Sequence, residues 1–533
     1  MNNKKRTNVG FAVLLTVVIV QILPVTIEAQ DTNTLEIIKQ LQKRLEELEH
    51  SPLQRRIEAL EEKVKMLESE KQAAQQASDA KLKQQADALE QKFKDLQQAK
   101  DAESKQQAEA LNQQVRTLER NRELDKEAAA AAATKSTKVS LGDNGLVVRS
   151  GDSNFVMNVH GYIQADGRFY PYDQHTANDT FLLRRVRPII EGTVYEKFDY
   201  RLMTDFGSGN VSSSSAGNNA LLDDAYVNAR FWPQAQVQVG KFKSPVGLER
   251  LQSTAELLFV ENGFATQMTP NYDLGAEVHN TLFNTPINYA IGIFNGAADG
   301  GSADVDTTDE GKDVVGRLFL QPFLKTDIKP LQKLGFGVGG SVGHHEGPLS
   351  TYKTPGQQTF FSYTNGAAAN GQQYRIDPQF YYYWGPFGVL GEYIVSSQEV
   401  STSGKTPLTD RFNNRAWQVA ASWFLTGDEN SFRSTSRHLF HPTHPLGEGI
   451  GAFELVGRVE QLSLDRDAFP NFVTKTSAKE ANSWGVGLNW YLNSNLRLYL
   501  DYESTWFEGG SKTPGTVTAR DEHVILARVQ VSF

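Results

Sequence analysis

Eight arginines fall on the polar side of stretches in which polar and apolar residues alternate: Arg185, Arg187, Arg201, Arg230, Arg317, Arg458, Arg497 and Arg528. A guanidinium offers forked N–H donors that can replace the water around an anion. A ladder of them would form a path for anions. The same groups could instead close ion pairs with Glu191, Asp205, Asp224, Glu454, Glu460 and Asp501, which share those polar faces. Other constellations carry less chemistry. Gly335, Gly337 and Gly340 fit G-x-G-x-x-G by letters but follow no βαβ unit, so a dinucleotide site is not expected. His438, His441 and His444 are spaced by three beside Pro442 and Pro445. A Pro-containing loop does not converge them as a helix would, and no metal or cofactor is expected. There is no G-x-S-x-G, no H-E-x-x-H and no triad, so no enzyme is expected either.

The chain that must position these groups joins two polymers. Of its 29 Phe, 7 Trp and 18 Tyr, only Phe11 and Phe93 precede residue 139, and of 43 Gly only Gly10 does. The first part lacks the large side chains of a globular core, and the second has ample material for a large β structure. The formal charge is −9, and residues 139–533 hold 31 Lys+Arg against 41 Asp+Glu, a net of −10. With no basic block to neutralise phosphates, nucleic acid is not an expected partner. The absence of Cys excludes disulfides, Cys-ligated zinc, iron–sulfur clusters and thiol nucleophiles.

Residues 1–29 read as a secretory signal peptide. Lys4, Lys5 and Arg6 form the basic start, 11–23 is almost wholly apolar, and Ile27-Glu28-Ala29 precedes the cut. The apolar run stops at Pro24, short of the roughly 20 residues of a spanning helix. No later run is long enough for one, which leaves a closed barrel as the membrane route.

Residues 30–127 read as a periplasmic coiled coil. Leu41, Leu45 and Leu48 start a stripe that breaks at Ser51-Pro52, where Gln54 completes a capping box. Ile57, Leu60, Val64 and Leu67 resume it, then Leu82, Leu89 and Leu96, then Leu111 and Leu118. The segment 79–89 recurs at 101–111, an offset of 22 residues, or two elevens. Such a stripe runs straight or slightly right-handed and is buried only against copies of itself or a partner. Residues 128–150 read as a fraying end and a linker.

From Phe155 the period becomes two. Phe155, Met157, Val159, Ile163 and Phe169 alternate with Asn158, His160, Tyr162, Gln164, Asp166 and Arg168. Leu496, Leu498 and Leu500, and later Ile525, Ala527, Val529 and Val531, repeat the pattern to the terminal Phe533. Charges at mid-strand suit a wet lumen, and Tyr170, Trp232, Trp384, Trp423 and Trp506 would sit at the membrane interfaces. Phe533 ends an alternating strand and reads as a barrel-assembly signal. The expected fold is an all-β transmembrane barrel, residues 151–533, preceded by the long α-helical coiled coil.

Several stretches carry a family resemblance: HGYIQADGRFY (160–170), FLLRRVRPIIEGTVYEKFDYRLMTDFG (181–207), VQVGKFKSPVGLERL (237–251), YAIGIFNG (289–296), GQQTFFSY (356–363), GPFGVLGEY (385–393), AWQVAASWFLTG (416–427) and VGLNWYLN (486–493). With these, residues 151–533 resemble the phosphate-selective porins O and P. The resemblance implies about sixteen antiparallel strands, usually a homotrimer, and small anions as permeants, phosphate or polyphosphate among them. It also implies that the stretch after 240–247, through Leu248 to Met268, folds into the lumen and narrows it. Lys241, Lys243 and Arg250 would then be its cationic lining, interleaved with Glu249, Glu256 and Glu261. Asp299, Asp304, Asp306, Asp309 and Glu310 are expected outside the lumen, screened by salt. The expectation is a passive, moderately anion-selective pore in the outer membrane, in contact with its lipid. The rival expectations are a general porin, and a structural protein whose stalk contacts the cell wall.

Overall fold

The computed structural model describes residues 39, 52–73, 79–143, 145–171, 177–207, 221–282, 285–304, 310–404, 406–434, 439–513 and 515–533. The expected signal peptide, Leu41, Leu45, Leu48, Ser51, Asp306, Asp309 and His438 lie outside them. The chain divides into two compact units, 1–130 and 131–533.

In the first unit, helix α1 (Pro52–Ala73) opens on the proline whose fixed φ and missing N–H suit a first helical position. Helix α2 (Asp79–Lys135) runs for 57 residues, about 85 Å at 1.5 Å per residue. Leu89, Phe93, Leu96, Leu111 and Leu118 are its half-buried apolar positions, and most described residues around them are exposed. The alanine run 128–133 continues the helix, because alanine is the best helix former. The expected linker 128–150 is therefore the end of α2 followed by a hairpin of β1 (Lys138–Gly142) and β2 (Gly145–Arg149).

Sixteen further strands form a closed antiparallel ring. They are β3 (Phe155–Phe169), β4 (Thr180–Val194), β5 (Phe198–Asp205), β6 (Leu221–Trp232), β7 (Ala235–Lys243), β8 (Tyr272–Thr281), β9 (Ile287–Phe294) and β10 (Asp313–Leu320). β11 (Leu334–Gly347) follows, then a two-strand ribbon of β12 (Tyr352–Lys353) and β13 (Thr359–Phe361) that stands apart from the ring. The ring continues with β14 (Ala367–Trp384), β15 (Phe387–Thr402), β16 (Thr409–Phe424), β17 (Ala452–Ser463), β18 (Ala478–Tyr491), β19 (Leu496–Gly509) and β20 (Glu522–Ser532). Each strand pairs with the next, and β20 pairs with β3 from Ile525↔Phe169 to Ser532↔Tyr162, which closes the barrel. Below that seam, β2 takes over the same edge of β3, from Leu146↔Val159 to Arg149↔Val156.

The alternation sorts as expected. Ile163, Leu500 and Val529 are exposed on the outer face, while Gln164, Asp501 and Arg528 are buried inside. Trp232, Trp384, Trp423 and Trp506 are exposed near strand ends. Tyr170 departs from the expected girdle. It packs against Val260, Tyr499, Val524 and Leu526, and its hydroxyl donates to Gly356 O at 2.6 Å.

One end of the barrel carries tight turns at 195–197, 233–234, 385–386 and 492–495, together with Phe533. The other end carries the long connections 244–271, 295–312 and 348–366. The exceptions are 321–333 and, longer still, 425–451, connections at the tight-turn end.

Candidate functional site in the barrel lumen

The connection 244–271 is the narrowing element. Nearly every residue of it is buried, yet it holds no ladder with the wall. Its backbone is instead held by side chains of the wall. Leu248 N donates to Glu392 Oε2 at 2.6 Å, Val260 N to Asp501 Oδ2 at 2.6 Å, and Phe264 N to Glu460 Oε2 at 2.7 Å. Its carbonyls accept in turn: Val246 O from Gln379, Thr254 O from Gln164, Ala255 O from Gln530, Leu257 O from Arg497, and Leu258 O from Asn489. These donors and acceptors satisfy a buried, non-ladder backbone whose unpaired groups would each cost about 1–3 kcal/mol. Gly263 sits at a close approach, where a Cβ would lie 1.6 Å from Gln418 Oε1 and would displace that side chain.

Above this loop an apolar cluster fills the end with long connections. Phe264 and Met268 pack with Tyr352, Phe360 and Phe361 from the 348–366 connection, and with Phe412 and Phe472. Asp299 also turns inward, against the expectation that it lies outside and screened. It accepts from Arg375 Nε at 2.7 Å, Gln373, Ser396 and Tyr352. Asp304 pairs with the Lys241 ammonium but stays largely exposed, as expected of a loop carboxylate. At Asp299 local pairing outweighs loop position, because its carboxylate meets a buried cation whose own desolvation requires a partner.

The three expected lining cations are all engaged. Besides the Lys241 pair, Lys243 Nζ donates to Gln252 O at 2.6 Å, and Arg250 donates to Thr266 O at 2.6 Å and Thr269 Oγ1 at 3.1 Å. Burial pushes the Arg250 guanidinium down to about 10, so it stays charged at neutral pH.

Most of the arginines expected on polar faces do face the lumen, paired. Arg187 bridges Asp205 (2.8 Å) and Asp223 (2.7 Å). Arg201 bridges Glu191 (2.7 Å) and Asp224 (3.0 Å). Arg458 meets Glu503 at 2.8 Å and Glu460 at 3.5 Å. Arg528 grips Asp166 with two hydrogen bonds, and Arg317 donates to Gln379. Arg497 lies on the rings of Tyr491 and Tyr499. Arg230 sits near the tight turn 233–234, half exposed and paired with Asp199 at 2.9 Å. Arg185 donates to Gln164 at 2.9 Å and stands 3.9 Å from Glu261.

Arg184 escapes a reading based on alternation. Gln164 pairs with Arg185, but Ala165 pairs with Leu183, so Arg184 is the extra residue of a β-bulge. The bulge turns it inward, where Arg184 Nε donates to Glu261 Oε1 at 2.6 Å and Arg168 reaches the same oxygen at 3.1 Å. Burial alone would raise the Glu261 carboxyl, but Arg184, Arg185 and Arg168 outweigh it and hold Glu261 well below the usual carboxylate range.

The lumen thus has two chemically different sides. By β3, β4 and β20, the guanidiniums of Arg168, Arg184, Arg185 and Arg528 face two carboxylates, Asp166 and Glu261. By β15, β17 and β19, Glu249, Glu392, Glu460, Asp501 and Glu503 gather around Arg458 and the loop backbone.

A sixteen-strand barrel, apolar outside, charged inside and narrowed by an inward connection, is an outer-membrane diffusion channel. The chain belongs to the phosphate-selective porin O and P family, whose model it matches over residues 157–533. It is also similar to solved structures at low identity. The outer membrane channel DcaP of Acinetobacter baumannii is 9% identical, with a TM-score of 0.45, covering 72% of this chain and 99% of that one. The anion-selective porin from Comamonas acidovorans is 10% identical, with a TM-score of 0.41, covering 71% and 99%. OmpT of Vibrio cholerae is 10% identical, with a TM-score of 0.44, covering 71% and 98%. No curated protein matches the chain.

Proposed function

We propose that the protein is a passive, moderately anion-selective channel for small solutes of the phosphate type. The observation that carries this reading is the cluster beside the inward loop, where four guanidiniums meet two carboxylates, a local excess of two positive charges. In a desolvated lumen such an excess acts over short distances and outweighs the net charge of the chain. The family description adds phosphate as the permeant class. Lys243 and Arg250 then serve chiefly to hold the narrowing loop, and Lys241 the 295–312 connection, since each already has an acceptor.

The carboxylates around Arg458 favour a second reading, a general or weakly cation-selective porin on the same barrel. Reversal potential in a salt gradient across a planar bilayer separates the two. Anion preference is expected, and a clear cation preference would reject the proposal.

The assembly we propose is a homotrimer with the tight-turn end in the periplasm, as short turns face the periplasm in such barrels. Strands β5, β9 and β10 have 8 residues each. At about 3.4 Å per residue and a tilt near 45°, they cover roughly 19 Å of an apolar band about 25 Å tall. Neighbouring copies can cover the remainder. The stripe of α2 would be buried in the same assembly as a three-chain periplasmic stalk, available for contact with the cell wall.

A further inference from the structure

The connection 425–451 enters from the tight-turn end, whereas the narrowing loop 244–271 enters from the opposite end. They meet inside the barrel. Gln252 and Ser434 form an isolated antiparallel bridge, and Ser253 N donates to Ser434 O at 3.3 Å. Beside that bridge, Arg433 is buried, with a side-chain exposure of 7%. Its Nη1 donates to Glu256 Oε2 at 3.2 Å and to the Tyr491 hydroxyl at 2.7 Å. Its Nη2 stands 3.9 Å from Glu454 Oε1. The guanidinium also lies over the rings of Phe440, Tyr491 and Phe424, at 5.0, 5.3 and 5.7 Å. Arg497 faces the same two carboxylates, 3.9 Å from Glu256 and 3.7 Å from Glu454.

We propose that Arg433 is a selectivity-determining residue of the channel, delivered from the tight-turn end to complete a four-charge cluster with Glu256, Glu454 and Arg497. The inference rests on the channel reading and deepens it. Two cations and two anions balance in this cluster, and each comes from a different part of the chain: the narrowing loop, the 425–451 connection, β17 and β19. Removing one member leaves an uncompensated charge where low dielectric makes it strong. The aromatic faces hold the guanidinium in place, so its charge is fixed in position rather than averaged over a flexible stem.

The test uses the full-length protein in planar bilayers at pH 8, with permeability ratios taken from reversal potentials. Arg433→Gln is expected to shift the anion-to-cation ratio about twofold or more toward cations. Glu256→Gln is expected to shift it toward anions. The double variant returns toward the wild-type ratio, and Arg433→Lys recovers most of what Arg433→Gln loses. A residue that only braces the fold would alter heat resistance in both single variants without opposite shifts in the ratio. Unchanged ratios in correctly assembled single variants overturn the proposal. So do shifts of the same sign.

The meeting of the two connections has its own measurement, which stands even where Arg433→Gln fails to assemble. The chain has no Cys. Gln252→Cys with Ser434→Cys therefore adds the only thiols, at a bridge pair whose spacing suits a disulfide. Oxidation is expected to give a cross-linked band of altered mobility that reductant reverses. No cross-link in an assembled barrel overturns the proposal. The wild-type ratio tests the channel's preference separately, because the opposed shifts are expected whatever its starting sign.

Discussion

Arg528 and Asp166 face each other across the seam where the last strand meets the first, joined by hydrogen bonds of 2.6 and 2.7 Å. Both side chains are fully buried. A carboxylate left in that position without its guanidinium is an unpaired buried charge, which costs about 3–5 kcal/mol. Arg528→Ala is expected to lower the temperature at which the detergent-solubilised barrel unfolds on a heat-modifiability gel. Asp166→Asn combined with Arg528→Gln should recover much of the loss, since the pair then meets as neutral amides. Equal heat resistance of wild type and Arg528→Ala would show that the seam is held by its ladder alone.

The end of the same seam depends on a close approach. Phe533 N donates to Gly161 O at 2.9 Å, and Gly161 N donates to Phe533 O at 2.9 Å. A Cβ on Gly161 would lie 2.5 Å from Arg187 O and 3.1 Å from the Phe533 ring. Backbone cannot yield by that much without breaking the local ladder. Gly161→Ala and deletion of Phe533 should therefore impair the same step, closure of the last strand on the first. The expected outcome is less folded barrel in outer-membrane fractions for both variants. A folded yield equal to wild type in Gly161→Ala would separate the assembly role of Phe533 from this contact.

Strand pattern and lumen orientation were legible because a period of two fixes the face of every residue once one is placed. His160, Gln164, Asp166, Arg497, Asp501 and Arg528 all point inward as their alternation requires. The rule fails where the period slips. Arg184 sits at a bulge, which alternation alone assigns to the lipid face. Arg433 lies in a connection with no period at all, beside the Pro-rich segment set aside for its histidines. Asp299 was misplaced for a related reason. A loop carboxylate looks solvated in sequence, and its partner Arg375 lies 76 residues away on β14. Which charges pair is a property of the closed ring, not of any local stretch.

The arginine cage around Glu261 makes a prediction about acid. Folding lowers the Glu261 carboxyl below its ordinary value of 4.5, because Arg184, Arg185 and Arg168 outweigh the cost of burial. A depressed carboxyl contributes its full stabilisation above the unfolded value and loses it only as pH falls toward the folded one. The difference in heat resistance between wild type and Glu261→Gln should therefore stay constant from about pH 8 to about pH 5, and shrink in more acidic solution. In bilayers at neutral pH, Glu261→Gln should move selectivity toward anions, since three guanidiniums lose their common counter-charge. A stability difference that disappears already near pH 6 would place the carboxyl in its ordinary range or above it.

The proposed stalk can be tested apart from the pore, because residues 1–130 and 131–533 form distinct compact units. Helix α2 offers few apolar positions, Leu89, Phe93, Leu96, Leu111 and Leu118 among them, and none is fully buried within the single chain. A lone helix of this kind gains little, and its stripe is covered only by other helices. Deleting residues 30–127 while keeping residues 1–29 should leave single-channel conductance and ion preference unchanged, since the described contacts that hold the narrowing loop join residues of the barrel. In a chain otherwise free of thiols, Leu111→Cys or Leu118→Cys in the full-length protein should be joined as a trimer by a trifunctional maleimide. A tethering role adds a further outcome: electron microscopy of cells carrying the deletion should show altered spacing between outer membrane and cell wall. Unchanged spacing with intact conductance would remove the tether, and a full-length variant that the reagent labels but leaves as single chains would remove the shared stalk.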